Sequence, residues 1–351
     1  MSNDTLGFSK KILISVGIAA LLFGSLALFI YGINVFLLVF TGLLFSVFLR
    51  GIAGFISKYI PIPTKLAVGI TLILLILIIY LFVILLGPSI SDGFTQLQKT
   101  LPEAFDELKN SVEQYGWGKS LISEIDKLNM HNIASQDTVK QITGIFSTTI
   151  GAIVNFFIIL IIGIYVSFNP SLYKKGLIKL FSKRKRKRIS EVMDSVSKAL
   201  GWWLVGRIIS MSIIGVLTAI GLAILDIPLP VTLGIIAAIL TFVPNIGPVI
   251  SAVPAILIGL IQSPAKAVYV ALLYIGIQMV ESYLITPMIQ KRTVSMPPAL
   301  LISVQILVGV WLGLFGLFLA TPLLVVVIVV LQMLYIEDVL GDKVKVIGEK
   351  S

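Results

Sequence analysis

Apolar positions along this chain come in long blocks, not in the alternation of strands or the narrow stripes of soluble helices. A helix needs about 20 consecutive apolar residues to cross a bilayer. Blocks of that kind cover Ile12–Tyr31, Val35–Leu49 (closed by Arg50), Leu66–Leu86, Phe146–Phe168, Ala199–Leu225 and Ala267–Ile289. Two further blocks, Val231–Ile261 and Ala299–Tyr335, are too long for one straight crossing at about 1.5 Å per residue. Each is interrupted near its middle, the first by "VPNIGP" and the second by "GVWLGLFG" with Pro322 shortly after. Proline removes a backbone donor, and freed backbone groups in hydrocarbon cost several kcal/mol each. The pattern therefore predicts two half-length helices in each block, joined at membrane depth where protein or a water-filled cavity shields the break.

Between the third and fourth blocks the pattern changes. Leu101, Phe105, Leu108, Val112 and Tyr115 repeat at 4-3-4-3, a helical stripe with a heptad rhythm. Thr100 and Glu103 stand at capping-box spacing, so a new helix is expected to begin there. "GWG" at 116–118 would end it, and Leu121, Ile122, Ile125 and Leu128 suggest a second short helix. The stripe packs on its own helical neighbour or on another subunit.

Charge orients the blocks. Residues 89–147 carry eight Asp/Glu against five Lys, whereas 169–198 carry ten Lys/Arg against Glu191 and Asp194. With Lys10, Lys11, Arg50, Lys58 and Lys65, the positive-inside rule puts both termini and 169–198 in the cytoplasm and the acidic stretch outside. If the block 231–261 is a re-entrant hairpin, Lys291 and Arg292 also fall inside, which favours that scheme over a single span. The fold expected is all-α and polytopic. It has six full spans plus two broken, re-entrant hairpins entering from opposite faces, and an eight-span count is the alternative. The regions are 1–88 (spans one to three), 89–145 (a small extracytoplasmic helical region), 146–168 (span four), 169–198 (basic cytoplasmic segment), 199–336 (transport region) and 337–351 (cytoplasmic tail).

Composition narrows the chemistry. The 351 residues are 57% hydrophobic and 13% charged, against about 25% charged in soluble domains. With no cysteine and only His131, disulfides, thiolate metal sites and two-imidazole sites are excluded. "KRKRKR" at 183–188 reads as a cytoplasmic loop against anionic head groups, not as a nucleic-acid site. "GKS" at 118–120 lacks the first glycine of a Walker A loop, since Glu113 stands there. No HExxH or GxSxG occurs, so neither enzyme activity nor a cofactor is expected.

Ionisable groups inside spans are costly and usually functional. Arg207 lies in "GWWLVGRIISMS" and Glu281 in "YIGIQMVESYLITP", with Gln278 one turn before it and Tyr274 and Thr286 near the same face. Arg207 and Glu281 form either a structural pair or an ion- or proton-coupling site. Asn245 and Gln305, one in each interrupted block, are neutral donor–acceptors suited to a small solute or to nearby backbone. A half-helix N-terminus at Pro248 adds a positive dipole end. Trp202 and Trp203 read as an interfacial belt.

"GWWLVGRIISMSIIGVLTAIGL", "LTFVPNIGPVISAVPA", "ESYLITPMIQKRTVSMPPALL" and "GLFGLFLATPL" together resemble the autoinducer-2 exporter (AI-2E) family of bacterial permeases. The resemblance covers nearly the whole chain and is densest over 199–338. It implies a homo-oligomeric, multi-pass protein of the bacterial inner membrane that exports a small molecule, with sodium or lithium/proton antiport as the alternative activity. Pro244, Asn245, Gly247, Pro248, Gln278, Pro287, Gly313, Gly316 and Pro322 fall on the matching motif positions. Where the family commonly has Gln after the glycine, this chain has Arg207, which argues against carrying the signalling molecule over directly. The substrate-binding or gating set expected is Pro244, Asn245, Gly247, Pro248, Gln278, Gln305, Gly313 and Gly316. A non-transporting membrane scaffold is the reading from another class. The partners expected are membrane lipids, a small-molecule or ion substrate and further copies of the chain.

Overall fold

The computed structural model describes residues 32–113, 149–290 and 296–342. The block Ile12–Tyr31, the segment from Tyr115 through the second short outer helix, His131, Lys291, Arg292 and the end of the tail lie outside the described residues. The described residues form helices and turns only, with no strand among them.

Helix α1 is Gly32–Tyr59 and α2 is Thr64–Glu113. Helix α3, Thr149–Phe168, turns by 90° at Asn169 into α4, Pro170–Lys179. A 3-10 turn, Lys183–Lys185, leads into α5, Arg186–Ile224. Then follow α6, Pro230–Leu240, and α7, Ile246–Gln262. Helix α8, Pro264–Val280, passes through a π-turn, Glu281–Ile285, into α9, Thr286–Gln290. Helix α10 is Pro298–Leu331, closed by a second π-turn, Gln332–Glu337. Proline occupies the first position of α4, α6, α8 and α10, where its missing N–H has no intrahelical role.

Two boundaries differ from the sequence pattern. Helix α1 continues past Arg50, because that side chain turns to donate to the Ser167 carbonyl (2.9 Å) at the end of α3, a cation at a helix C-terminus. Helix α2 does not stop at Leu86 and restart at Thr100. It runs unbroken for 50 residues, about 75 Å, with Pro88 and Pro102 inside it. Pro102 frees only the carbonyl of Gln98, past the apolar block where water can take it, and the helix runs on, so the capping-box residues Thr100 and Glu103 sit in mid-helix.

The outer surface is apolar. Ile73, Ile76 and Leu85 of α2 and Phe156 and Ile161 of α3 face outward, the reverse of a soluble bundle. Among the described residues five helical stretches are long and apolar enough to cross a bilayer, six if the bent α3–α4 pair counts as one span, and one of the five is α10 with its closing turn, counted at full length. The chain is a multi-pass, all-α membrane protein.

Without a hydrophobic drive between helices in lipid, close backbone approach holds such bundles together. Helices α5 and α6 cross on a pair of glycines. A Cβ on Gly215 would stand 2.7 Å from Ala238 Cβ, and one on Gly234 would stand 2.7 Å from the Gly215 carbonyl. Helices α1 and α3 cross similarly at Gly42 and Gly163.

Both interrupted blocks fold back as hairpins. At the open end of α6–α7, the Asp226 carbonyl accepts from Gln262 Nε2 and Lys266 Nζ, both at 3.3 Å. The end of α5, the end of α7 and the start of α8 therefore lie together, and α6–α7 dips in and returns. In α10 the chain reverses at Gly313 (φ 67, ψ −157). On a straight helix residues eight apart are about 12 Å apart. Here a Cβ on Gly309 would lie 3.7 Å from Leu317 Cβ, and one on Gly316 would lie 2.8 Å from the Val308 carbonyl. The open end of this second hairpin sits with the basic start of α5, where Arg188 reaches the Met333 carbonyl (2.9 Å), Glu337 (2.8 Å) and Asp338 (2.8 Å). The two hairpins thus enter from opposite ends of α5.

Candidate functional site at the meeting of the two hairpins

Where α6 stops at Leu240, the N–H groups of Thr241, Phe242 and Val243 take the carbonyls of Ala237, Ile239 and Leu240, and the carbonyls of Thr241 and Phe242, just past the helix, are left for donors from elsewhere. Arg207, midway along α5, supplies the donors. Its Nε donates to the Phe242 carbonyl (3.1 Å) and its Nη2 to the Thr241 carbonyl. Its Nη1 lies 3.4 Å from Glu281 Oε1. Gln278 Nε2 donates to Glu281 Oε2 (3.3 Å). Arg207 and Glu281 are 8% and 4% exposed, so the carboxylate balances a cation that would otherwise be buried unpaired. Glu281 opens the π-turn that interrupts α8, a local geometry frequent at functional sites.

The chain then crosses from α6 to α7 in five residues. Asn245 holds φ at 65° and its side chain makes no capping bond to α7. It is exposed, so it shapes the turn through its backbone and takes no part in the buried cluster. Gly247 is required by space, because a Cβ there would overlap the Leu240 carbonyl. Pro248 is buried, and its carbonyl accepts from Ser251 Oγ (2.9 Å), while Tyr274 OH donates to the Ser251 carbonyl (3.2 Å).

The second hairpin closes on this crossing. Gln305, fully buried, donates from Nε2 to the Pro244 carbonyl (3.1 Å) and contacts Thr321 Oγ1 at 3.4 Å. Phe242 stacks on Phe318 at 5.5 Å and meets the edge of Trp203 at 5.6 Å. Two oxygens of the junction, Gln305 Oε1 and Thr241 Oγ1, are buried with no hydrogen-bond partner.

This arrangement sets how the hairpins meet and corrects one expectation, that for Trp203. The tips do not meet end to end. The first tip lies against Gln305 in one arm of the second hairpin, Gln305 in turn contacts Thr321 in the other arm, and Gly313 is exposed while Gly316 is buried. At Pro244 the carbonyl freed by the break takes its donor directly from Gln305, so protein covers it there. Trp203 is not an interfacial belt residue. It is buried beneath the first tip and Trp202 is exposed, since neighbours on a helix point about 100° apart. A cavity lined by Gln96, Thr100, Pro228 and Gln262 lies at the open end of the first hairpin, against α2, away from this junction.

The sequence-predicted residues Arg207, Glu281 and Gln278 are brought together, as are Pro244 and Gln305. Missed were the Thr241 and Phe242 carbonyls as partners of Arg207, and Thr321. The available signal was Pro244, three residues after Thr241, which has no N–H to offer that carbonyl.

Comparison with known proteins agrees with this architecture. The AI-2E family transporter profile matches residues 16–336. "Putative transport protein YueF" of Bacillus subtilis is 25% identical over 315 residues, covering 83% of this chain and 84% of that protein. "Putative transport protein YrrI" of the same organism is 27% identical over 251 residues, covering 67% and 68%. A "Putative transport protein" of Thermotoga maritima is 23% identical over 288 residues, covering 81% and 86%. With the matched profile spanning both hairpins and the helices that hold them, the chain belongs to the AI-2E family of transporters.

Proposed function

We propose that the protein is a secondary-active permease of the bacterial inner membrane that exports a small solute, an autoinducer-2-like molecule being the candidate the family suggests. The observation that carries the reading is the junction of two half-membrane hairpins entering from opposite ends, with Gln305 on the Pro244 carbonyl and two buried oxygens unsatisfied beside it. Discontinuous helices that meet at mid-depth are where transporters place their sites. Parting of Gln305 from Pro244 would expose backbone carbonyls, Gln305 Oε1 and Thr241 Oγ1 to an entering solute. Movement of α5–α10 against α1–α3 would then give alternating access, with the basic end and both termini in the cytoplasm.

The test is release of autoinducer-2 from proteoliposomes under an imposed proton gradient. Wild type is expected to release it, and Gln305→Leu to release it at least tenfold more slowly while keeping the wild-type unfolding temperature within a few degrees. Release by Gln305→Leu at the wild-type rate overturns the assignment.

A second reading, sodium or lithium/proton antiport, is favoured by one observation. Glu281 is a buried carboxylate within reach of both Arg207 and the half-buried Gln278. It predicts cation-driven proton movement, read by a trapped pH dye, that disappears in Glu281→Gln. Unchanged exchange in that variant dismisses it.

A further inference from the structure

Helix α4 does not belong to the junction, and the transport reading does not use it. It leaves α3 at 90° through Asn169 and Pro170. Because α3 crosses the bilayer, α4 runs along the membrane surface. At about 100° per residue, Leu172, Tyr173, Leu177 and Leu180 fall within one arc of roughly 140°. All four are exposed, Leu180 by 81%. Lys174 and Lys175 lie on the other side, and Lys179 flanks the arc beside Leu172.

The helix is held in place from that basic side. Lys174 Nζ contacts both Asp194 carboxylate oxygens at 2.7 Å. Arg186 donates from Nε to the Phe181 carbonyl (3.1 Å) and from Nη2 to the Lys179 carbonyl (3.3 Å), closing the end of α4. The neighbouring acids are thereby taken: Asp194 by Lys174, and Glu191, Glu337 and Asp338 by Arg188. Among the described residues, Lys175, Lys179, Lys183, Arg184, Lys185 and Lys187 make no ion pair.

We infer that α4 and the turn after it form an in-plane anchor that binds anionic phospholipid. The arc of Leu172, Tyr173, Leu177 and Leu180 enters the acyl boundary, and the six unpaired cations engage lipid phosphates. An exposed apolar arc on a surface-lying helix needs a cover, and a cluster of unpaired cations selects one bearing negative charge. An anionic leaflet supplies both. Since Asp194 and Arg188 lie on α5, the helix that carries Arg207, lipid charge would be coupled mechanically to the arm that holds the first hairpin tip.

The chain has no cysteine, so Leu180→Cys takes a single NBD label. The labelled protein is placed in phosphatidylcholine vesicles with or without phosphatidylglycerol. The label is expected to be quenched by shallow doxyl lipids and protected from aqueous iodide, with quenching stronger when phosphatidylglycerol is present. By native mass spectrometry the wild type should retain phosphatidylglycerol over phosphatidylcholine by about tenfold or more, given about fivefold per cation near an anionic surface. A variant with the six cations changed to Gln should lose that preference while Leu180→Cys–NBD still meets the acyl boundary. High salt should remove the wild-type preference, a measurement that stands even if the six-fold variant does not fold. Equal retention of both lipids by the wild type, or a label open to iodide and untouched by doxyl lipid, overturns the inference.

Discussion

Replacing Arg207 by Gln tests how the broken helix is held. The change removes the cation facing Glu281 and leaves at most one side-chain donor for two carbonyls, those of Thr241 and Phe242. Both partners of the pair are more than nine-tenths buried, so solvent screening does little to soften the loss. Breaking a buried ion pair from one side costs about 3–5 kcal/mol, because the surviving charge is stranded. Glu281→Gln should cost less, about 2 kcal/mol, since Arg207 keeps its two carbonyls. The double variant strands no charge. It is therefore expected to fall no lower than Arg207→Gln alone, a departure from additivity of roughly 2 kcal/mol. Intrinsic fluorescence is a suitable readout, because Trp203 lies one turn from Arg207 and packs against Phe242. At roughly 2 °C per kcal/mol, Arg207→Gln should lower the apparent unfolding temperature by roughly 6–10 °C and the double variant by a similar amount. If the double variant falls by the sum of the two single losses, the ion pair is not a unit and Arg207 acts on the carbonyls alone.

Other outcomes follow from the same geometry. Cysteines at 309 and 317, whose Cβ atoms would lie 3.7 Å apart, should oxidise to a disulfide and lose reactivity to a maleimide reagent; persistent thiols would mean α10 is not folded back. Gly247→Ala must displace the Leu240 carbonyl and is expected to cost about 2 kcal/mol or more, whereas Gly276→Ala, with open space at its Cβ, should be neutral or stabilising by up to about 1 kcal/mol in the same unfolding assay. Arg188→Ala, which frees the closing π-turn from Glu337, Asp338 and the Met333 carbonyl, should lose about 1–2 kcal/mol, and the deficit should shrink in high salt because the cluster is part exposed.

The spans and the two interruptions were legible because both rest on one-dimensional signals. Twenty apolar residues set a crossing, and a block too long to cross straight with Pro or Gly at its centre marks a fold-back. The re-entrant scheme could be weighed only through Lys291 and Arg292, a two-charge argument. The contacts of Asp226 with Gln262 and Lys266 establish it for the first hairpin in three dimensions. Helix α2 was misread at Thr100 because capping boxes are local signals. A helix already running through Pro88 does not need to restart. Trp203 was misread because composition gives a residue's preferred environment but not which side of α5 meets the first tip. Arg207 and Glu281 were legible as costly charges, but their pairing depends on α5 and α8 carrying them to one depth.

Arg207 shows why the deeper part of the site was hidden. Read along the sequence, a cation in an apolar helix suggests a ligand or a proton. In the fold, its strongest obligation is to the backbone of a helix that ends inside the membrane. The negative end of α6 and the carbonyls of Thr241 and Phe242 just past it create a local demand for positive charge. Arg207 meets it, and Glu281 neutralises Arg207. That chain of compensation has one free parameter, the distance between the first tip and the second hairpin, set by the hydrogen bond from Gln305 to Pro244 and the stack of Phe242 on Phe318, itself about 0.5–1.5 kcal/mol. A bond between neutral groups contributes only about 1 kcal/mol, far less than the buried ion pair beside it. The tip is thus held firmly to α5 and α8 and weakly to α10. Any opening of the junction should separate α10 from α6–α7 and leave Arg207, Glu281 and the first tip moving as one piece.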